Sequence, residues 1–87
     1  MSSLATKLNH EIAAATTVWF SEDKLHVALI DGREISVPLE FYPRLNNATK
    51  EQRDKFELIG LGTGIHWNDI DEDLSIEGII LGIPSRF

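Results

Sequence analysis

Cysteine is absent from this 87-residue sequence, so neither a disulfide framework nor a thiolate metal site nor a thiol nucleophile can be built from it. A small domain without disulfides is expected in a reducing, cytoplasmic compartment. Long apolar runs are missing too. The longest uncharged stretch, residues 58–68, is rich in glycine and far shorter than the ~20 apolar residues a membrane helix needs. The opening, Met1-Ser2-Ser3-Leu4, has no basic region followed by an apolar one, so it does not read as a signal peptide. Cations are scarce: 8 Lys and Arg stand against 14 Asp and Glu, a formal net charge of -6. Such a surface repels phosphate backbones and anionic lipid on average.

What is present is ordinary globular composition, with 43% hydrophobic and 25% charged residues. At this length that supports one shallow core. Residues 1–11 show no clear period and read as a flexible N-terminal arm, and residues 12–87 as a single α+β domain.

The residues from Thr16 to Phe20 are β-branched and aromatic, which suits a pleated surface. Residues 24–30 alternate, with Leu25, Val27 and Leu29 on one face, and residues 33–39 do the same with Ile35, Val37 and Leu39. Parity tests the register, since a slip of one residue moves every side chain to the other face. A two- or four-residue turn at Glu22 and Asp23 puts Phe20 opposite Leu25 and Val18 opposite Val27. A two-residue Asp31-Gly32 loop would set Val27 against Ser36 and mix the faces. A three-residue loop, Ile30 to Gly32, with Gly32 left-handed, sets Val27 against Ile35 and Leu25 against Val37. Two hairpins in a three-stranded antiparallel sheet follow.

Pro38 and Pro43 bracket the end of that sheet, with a short helix or turn over residues 40–45. Thr49-Lys50-Glu51-Gln52 is a capping box and predicts a helix to about Glu57 or Leu58, stopped by Gly60. Residues 61–67 read as a short glycine-interrupted strand. Asp73 or Ser75 is placed to cap a last short helix through Leu81, which Gly82 ends. Strands first and helices after indicate α+β.

Three motifs invite chemistry. Gly60-Leu61-Gly62-Thr63-Gly64 lacks the following helix and the lysine of a phosphate loop, and reads as a turn. Asp69, Asp71 and Asp73 open like a calcium loop, but the sixth position is Leu74 and the twelfth is Ile80 where glycine and glutamate are required. Asp71, Glu72 and Asp73 are therefore expected to complement the N-terminal end of the last helix. His66 with the Asp69 to Asp73 carboxylates is the combination open to a general base or an N/O metal site. No second histidine lies at ligand spacing. Ser21, Ser36, Ser75 and Ser85 lie in no nucleophile-elbow context.

The run Leu25 to Leu39 with its Asp31-Gly32-Arg33, then Tyr42-Pro43-Arg44-Leu45, Ala48-Thr49, Gln52-Arg53, Gly64-Ile65-His66-Trp67 and Asp71-Glu72-Asp73-Leu74-Ser75, resembles the bacterial domain of unknown function 2442. The resemblance covers roughly Val18 to Gly82 and implies a compact α+β fold with no catalytic residues to transfer. It also implies pairing with a co-encoded small protein, as in toxin–antitoxin systems. Some members carry a C-terminal helix-turn-helix; the sequence ends at Phe87, and no such domain is expected here.

The leading expectation is a noncatalytic protein-interaction module, an adaptor or antitoxin-like partner of a co-encoded protein, with no cofactor. Its expected contact surface is His66, Trp67, Asp69, Asp71, Glu72 and Asp73; Trp19 and Trp67 read first as core or edge aromatics, and Trp67 serves as an anchor for a partner only where it is exposed. A metal-dependent enzyme or ion-binding domain using His66 and the Asp69 to Asp73 carboxylates is the alternative. A nucleic-acid-associated regulator using Arg33, Arg44, Arg53 and the lysines comes last.

Overall fold

Alternation decides the first half of the chain. In the computed structural model, which describes residues 13–85, strands β1 (Ala15–Ser21), β2 (Lys24–Leu29) and β3 (Glu34–Pro38) form an antiparallel sheet in that order. The arm over residues 1–11 lies outside the described residues. Val18 pairs with Val27 and Phe20 with Leu25; Val27 then pairs with Ile35 and Leu25 with Val37. Every one of these apolar side chains shares the inner face, as parity requires. The β2–β3 loop is the bulged form: Gly32 has φ +94°, its N–H donates to the Leu29 carbonyl at 3.0 Å, and the Leu29 N–H donates to the Arg33 carbonyl at 2.7 Å. Asp31 secures it by accepting from the Arg33 backbone at 3.0 Å and from Arg33 Nε at 2.6 Å.

A 3-10 turn, Leu39–Phe41, and a single-turn helix α1 (Pro43–Asn46) follow. Helix α2 (Lys50–Asp54) starts at the capping box: Gln52 N–H donates to Thr49 Oγ1 at 3.1 Å, and Thr49 N–H to Gln52 Oε1 at 3.0 Å. It does not reach Glu57. Lys55, at φ -93° and ψ 64°, turns the chain into β4 (Phe56–Ile59), which pairs with β5 (Gly64–Trp67), itself paired with β6 (Glu72–Ser75). A second three-stranded antiparallel sheet, ordered β4-β5-β6, thus stands where the sequence suggested one short strand. The ladder and the bond from Trp67 Nε1 to the Arg53 carbonyl at 2.9 Å outweigh the weak propensity that would continue the helix.

The last helix, α3 (Ile76–Leu81), starts at Ser75, whose Oγ accepts from Gly78 N–H at 2.9 Å. Gly82, left-handed at φ +72°, ends it. The inner faces of both sheets share one core with Leu39, Tyr42, Leu45, Ile76 and Ile79. The β1 end is tied to the second sheet, because Ala15 N–H donates to the Gly62 carbonyl at 2.7 Å. No helix among the described residues is long and apolar enough to cross a membrane.

Candidate functional site

Strand alternation splits the six residues of the expected surface between two faces. Glu57 pairs with His66 and His66 with Asp73, while Phe56 pairs with Trp67 and Trp67 with Glu72. Neighbouring rows of a sheet face opposite ways. The first row points out, and His66 Nδ1 is hydrogen-bonded to the Asp73 carboxylate. That bond raises the imidazole above its ordinary value of 6.5 against the opposing effect of burial, with lesser help from the Asp73 charge, Asn68 and Glu57. The second row points into the core.

Trp67 is consequently 0% exposed, a core aromatic, so the condition for an anchoring role is not met and it leaves the expected contact surface. Its ring packs against Phe20 and Phe56, with centroids 6.3 and 6.5 Å away, and its indole N–H is spent on the Arg53 carbonyl. Glu72, at 6% exposure, is a buried carboxylate and belongs to no accessible surface. Burial raises it above the ordinary 4.5, while the Asp73 backbone N–H, Arg44 and Ser85 pull the other way. Tyr42 beside it is pushed up to about 12, first by burial and then by the charge of Glu72. Among the described residues, the Tyr42 hydroxyl has no hydrogen-bond partner.

The remaining carboxylates are structural in ways the spacing did not show. Asp69 pairs with Lys55 at 3.6 Å. Asp71 takes a left-handed φ of +51° in the β5–β6 turn, and its carbonyl accepts from Arg44 Nη1 at 2.5 Å. Neither Asp71, Glu72 nor Asp73 caps α3 as expected, since Glu72 and Asp73 belong to β6 and Ser75 does the capping. His66 and Asp73 are thus brought together with Glu57, not with Asp69, Asp71 and Glu72. Among the described residues, no three His, Cys, Asp or Glu side chains converge to hold a metal ion.

The glycine-rich segment is the β4–β5 turn. Gly60, Leu61 and Gly62 have φ of +58°, +59° and +88°, and Thr63 Oγ1 donates to the Gly60 carbonyl at 2.7 Å. This presents Leu61 at 100% exposure. One cluster escaped the sequence reading: on the outer face of the first sheet, Trp19 stacks on His26, with centroids 5.2 Å apart and planes 7° from parallel. His26 is held by Ser21 Oγ at 2.5 Å and Ser36 Oγ at 2.7 Å. The register, which sets Trp19 against His26 and His26 against Ser36, was the signal that could have found it.

This geometry can be set beside known proteins. The family model described as "Protein of unknown function (DUF2442)" matches residues 15–85. The chain belongs to the DUF2442 family. Residues 15–85 take in both sheets and α3, so the family pattern describes the two-sheet fold. A crystal structure of a protein of unknown function from Rhodospirillum rubrum is similar over 83% of this chain and 89% of its own, at 28% identity and a TM-score of 0.73. The solution structure of the uncharacterised protein CV0863 from Chromobacterium violaceum matches 97% of this chain and 79% of its own, at 23% identity and a TM-score of 0.74. The latter is a likeness of fold. No curated protein matches the sequence. Within this DUF2442 chain the Pro43-Arg44-Leu45 element has a physical reason: Arg44 clamps the β5–β6 turn and Leu45 is fully buried.

Glu72 supplies a pH test. A buried carboxyl whose folded value lies above its unfolded one binds its proton more tightly in the native state. Its contribution is therefore full below about pH 4.5 and is lost as pH rises through the folded value. Glu72→Gln is expected to raise the urea midpoint at pH 7 and to flatten the decline in stability above pH 4.5. Equal pH profiles for the two proteins would show that the carboxyl does not titrate differently on folding.

Proposed function

We propose that this DUF2442 chain is a noncatalytic protein-interaction module of the cytoplasm, docking a basic segment of a partner on the outer face and open edge of the second sheet. The observation that carries this is β4. It is an outer strand of its sheet, and its apolar side chains Leu58 and Ile59 are 37% and 45% exposed, with Leu61 wholly exposed beyond them. Apolar outer strands are an aggregation liability unless something covers them. Beside these residues lie the carboxylates of Glu57 and Asp73, in the row with His66. With a net charge of -6, the chain attracts a cationic partner, and the association weakens as salt rises. An adaptor or antitoxin-like role beside a co-encoded protein fits this chemistry.

Capture from extract of the native host tests the reading. Wild-type protein and the surface control Glu34→Gln should retain one basic partner at low salt and release it at high salt. Ile59→Lys and Leu61→Lys, checked for folding by circular dichroism, should weaken retention roughly tenfold or more, about 1.4 kcal/mol. Recovery of the chain alone at low salt, or equal retention by all four proteins, would defeat the reading.

A further inference from the structure

The first sheet also has an outer strand beside an open space. A groove of about 340 Å³ is lined by Val18, Trp19, Phe20 and Ser21 of β1, by Glu22, and by Lys50, Arg53 and Asp54 of α2. Successive side chains of a strand point to opposite faces, so a groove lying on one face would meet every second residue. This groove meets four in a row. It therefore runs along the edge of β1, the side away from β2.

An outer strand leaves alternate backbone N–H and C=O groups without a ladder partner. Among the described residues, the backbone hydrogen bonds outside the sheets and helices use none from residues 18–21. The helix wall sets the two cations Lys50 and Arg53 against the single carboxylate of Asp54. Lys50 is 92% exposed, with its ammonium 3.6 Å from Asp54. Arg53 commits Nε to the Leu45 carbonyl at 2.8 Å and one Nη2 proton to the Asn46 carbonyl at 3.0 Å, which leaves further N–H donors of its guanidinium unspent. The strand wall is held in place, since Trp19 is stacked on His26 and His26 is fixed by two serine hydroxyls. A wall already ordered lowers the cost of binding.

We propose that this groove takes an extended peptide segment of a partner protein as a fourth strand of the first sheet, with a glutamate or aspartate side chain of that segment set against Lys50 and Arg53. Main-chain bonds to the β1 edge supply affinity, and the alternate side chains supply selectivity. Apolar side chains of the segment meet Val18, Phe20 and the Trp19 ring. Glu22 stands at the hairpin end of the groove and excludes a second carboxylate there. The site prefers an acidic segment where the second sheet prefers a basic one, and it uses none of the same residues.

The test titrates the isotope-labelled full-length protein with a nonapeptide alternating valine and glutamate, followed by nuclear magnetic resonance. Two companion peptides carry lysine in place of glutamate, or N-methyl groups at alternate residues. Amide shifts should concentrate at residues 18–21 and 50–54. Affinity should fall roughly tenfold with lysine and be lost with N-methylation. Lys50→Glu, which places an acid in the first helical turn where it is tolerated, should reverse the charge preference. Absent shifts, shifts centred on β4 to β6, or undiminished affinity of the N-methylated peptide would overturn the proposal. So would concentration-dependent dimerisation that protects the amides of residues 18–21, which would make the occupant a second copy of this chain. These outcomes leave capture of a basic partner by the second sheet unaffected, so the two readings fail separately.

Discussion

Trp67→Ala is expected to destabilise the fold by about 3–5 kcal/mol, the usual cost of removing a fully buried tryptophan. The ring is 0% exposed and touches Phe20 of the first sheet and Phe56 of the second. Its removal opens a cavity at the seam between them. The Arg53 carbonyl also loses the indole N–H that donates to it at 2.9 Å. A domain of this size has a total stability of roughly 4–13 kcal/mol, so the substitution removes at least about a quarter of it. Urea denaturation followed by far-ultraviolet circular dichroism measures the loss. A loss below about 1 kcal/mol, within the range of surface substitutions, combined with abolished partner capture would restore Trp67 to the docking role its neighbours in sequence suggested.

The second large effect is expected at Gly62. Its φ is +88°, and a Cβ there would stand 2.6 Å from the Ala15 carbonyl oxygen, a backbone atom that cannot swing aside. That contact sits where the start of β1 is bonded to the turn of the second sheet. Gly62→Ala therefore combines a left-handed conformation, about 1–3 kcal/mol, with displacement of the strand that joins the two sheets. Gly82 isolates the first cost, having φ +72° with nothing within 4 Å of its hypothetical Cβ. Gly82→Ala should lower the melting temperature by about 4–24 °C, from 1–3 kcal/mol at roughly 4–8 °C per kcal/mol for this size, and Gly62→Ala should lower it by at least twice the shift seen for Gly82→Ala. Equal shifts would mean that the Ala15 contact relaxes without cost.

The candidate site was legible in identity but not in orientation. His66 and Asp73 were both named from sequence, and they do meet. Glu72 and Trp67 stand next to them in the chain and face the other way. Reading residues 71–75 as a helix entrance concealed this, because an acidic run ahead of a helix and an acidic edge of a strand have the same composition. The capping box at Thr49 was likewise read correctly as a start and gave no information about the end. Phe56, Leu58 and Ile59 satisfy a helix or a strand about equally, and short apolar segments are ambiguous until a partner is known.

Local rules were enough where strict alternation and the turn residues pointed to one register. The two hairpins of the first sheet, the bulge at Gly32, the Thr49 start and the Gly82 stop all follow from residues within a few positions of one another, because turn geometry fixes which side chains face each other. Tertiary structure decided what the local pattern left open: that Phe56 to Ile59 abandon the helix to pair with Gly64 to Trp67 just beyond the turn, that Arg44 reaches the Asp71 carbonyl, and that α2 stands beside the edge of β1. Each of these choices rests on burying surface or satisfying polar groups contributed by another part of the chain, and no pattern of neighbours along the sequence carries that information.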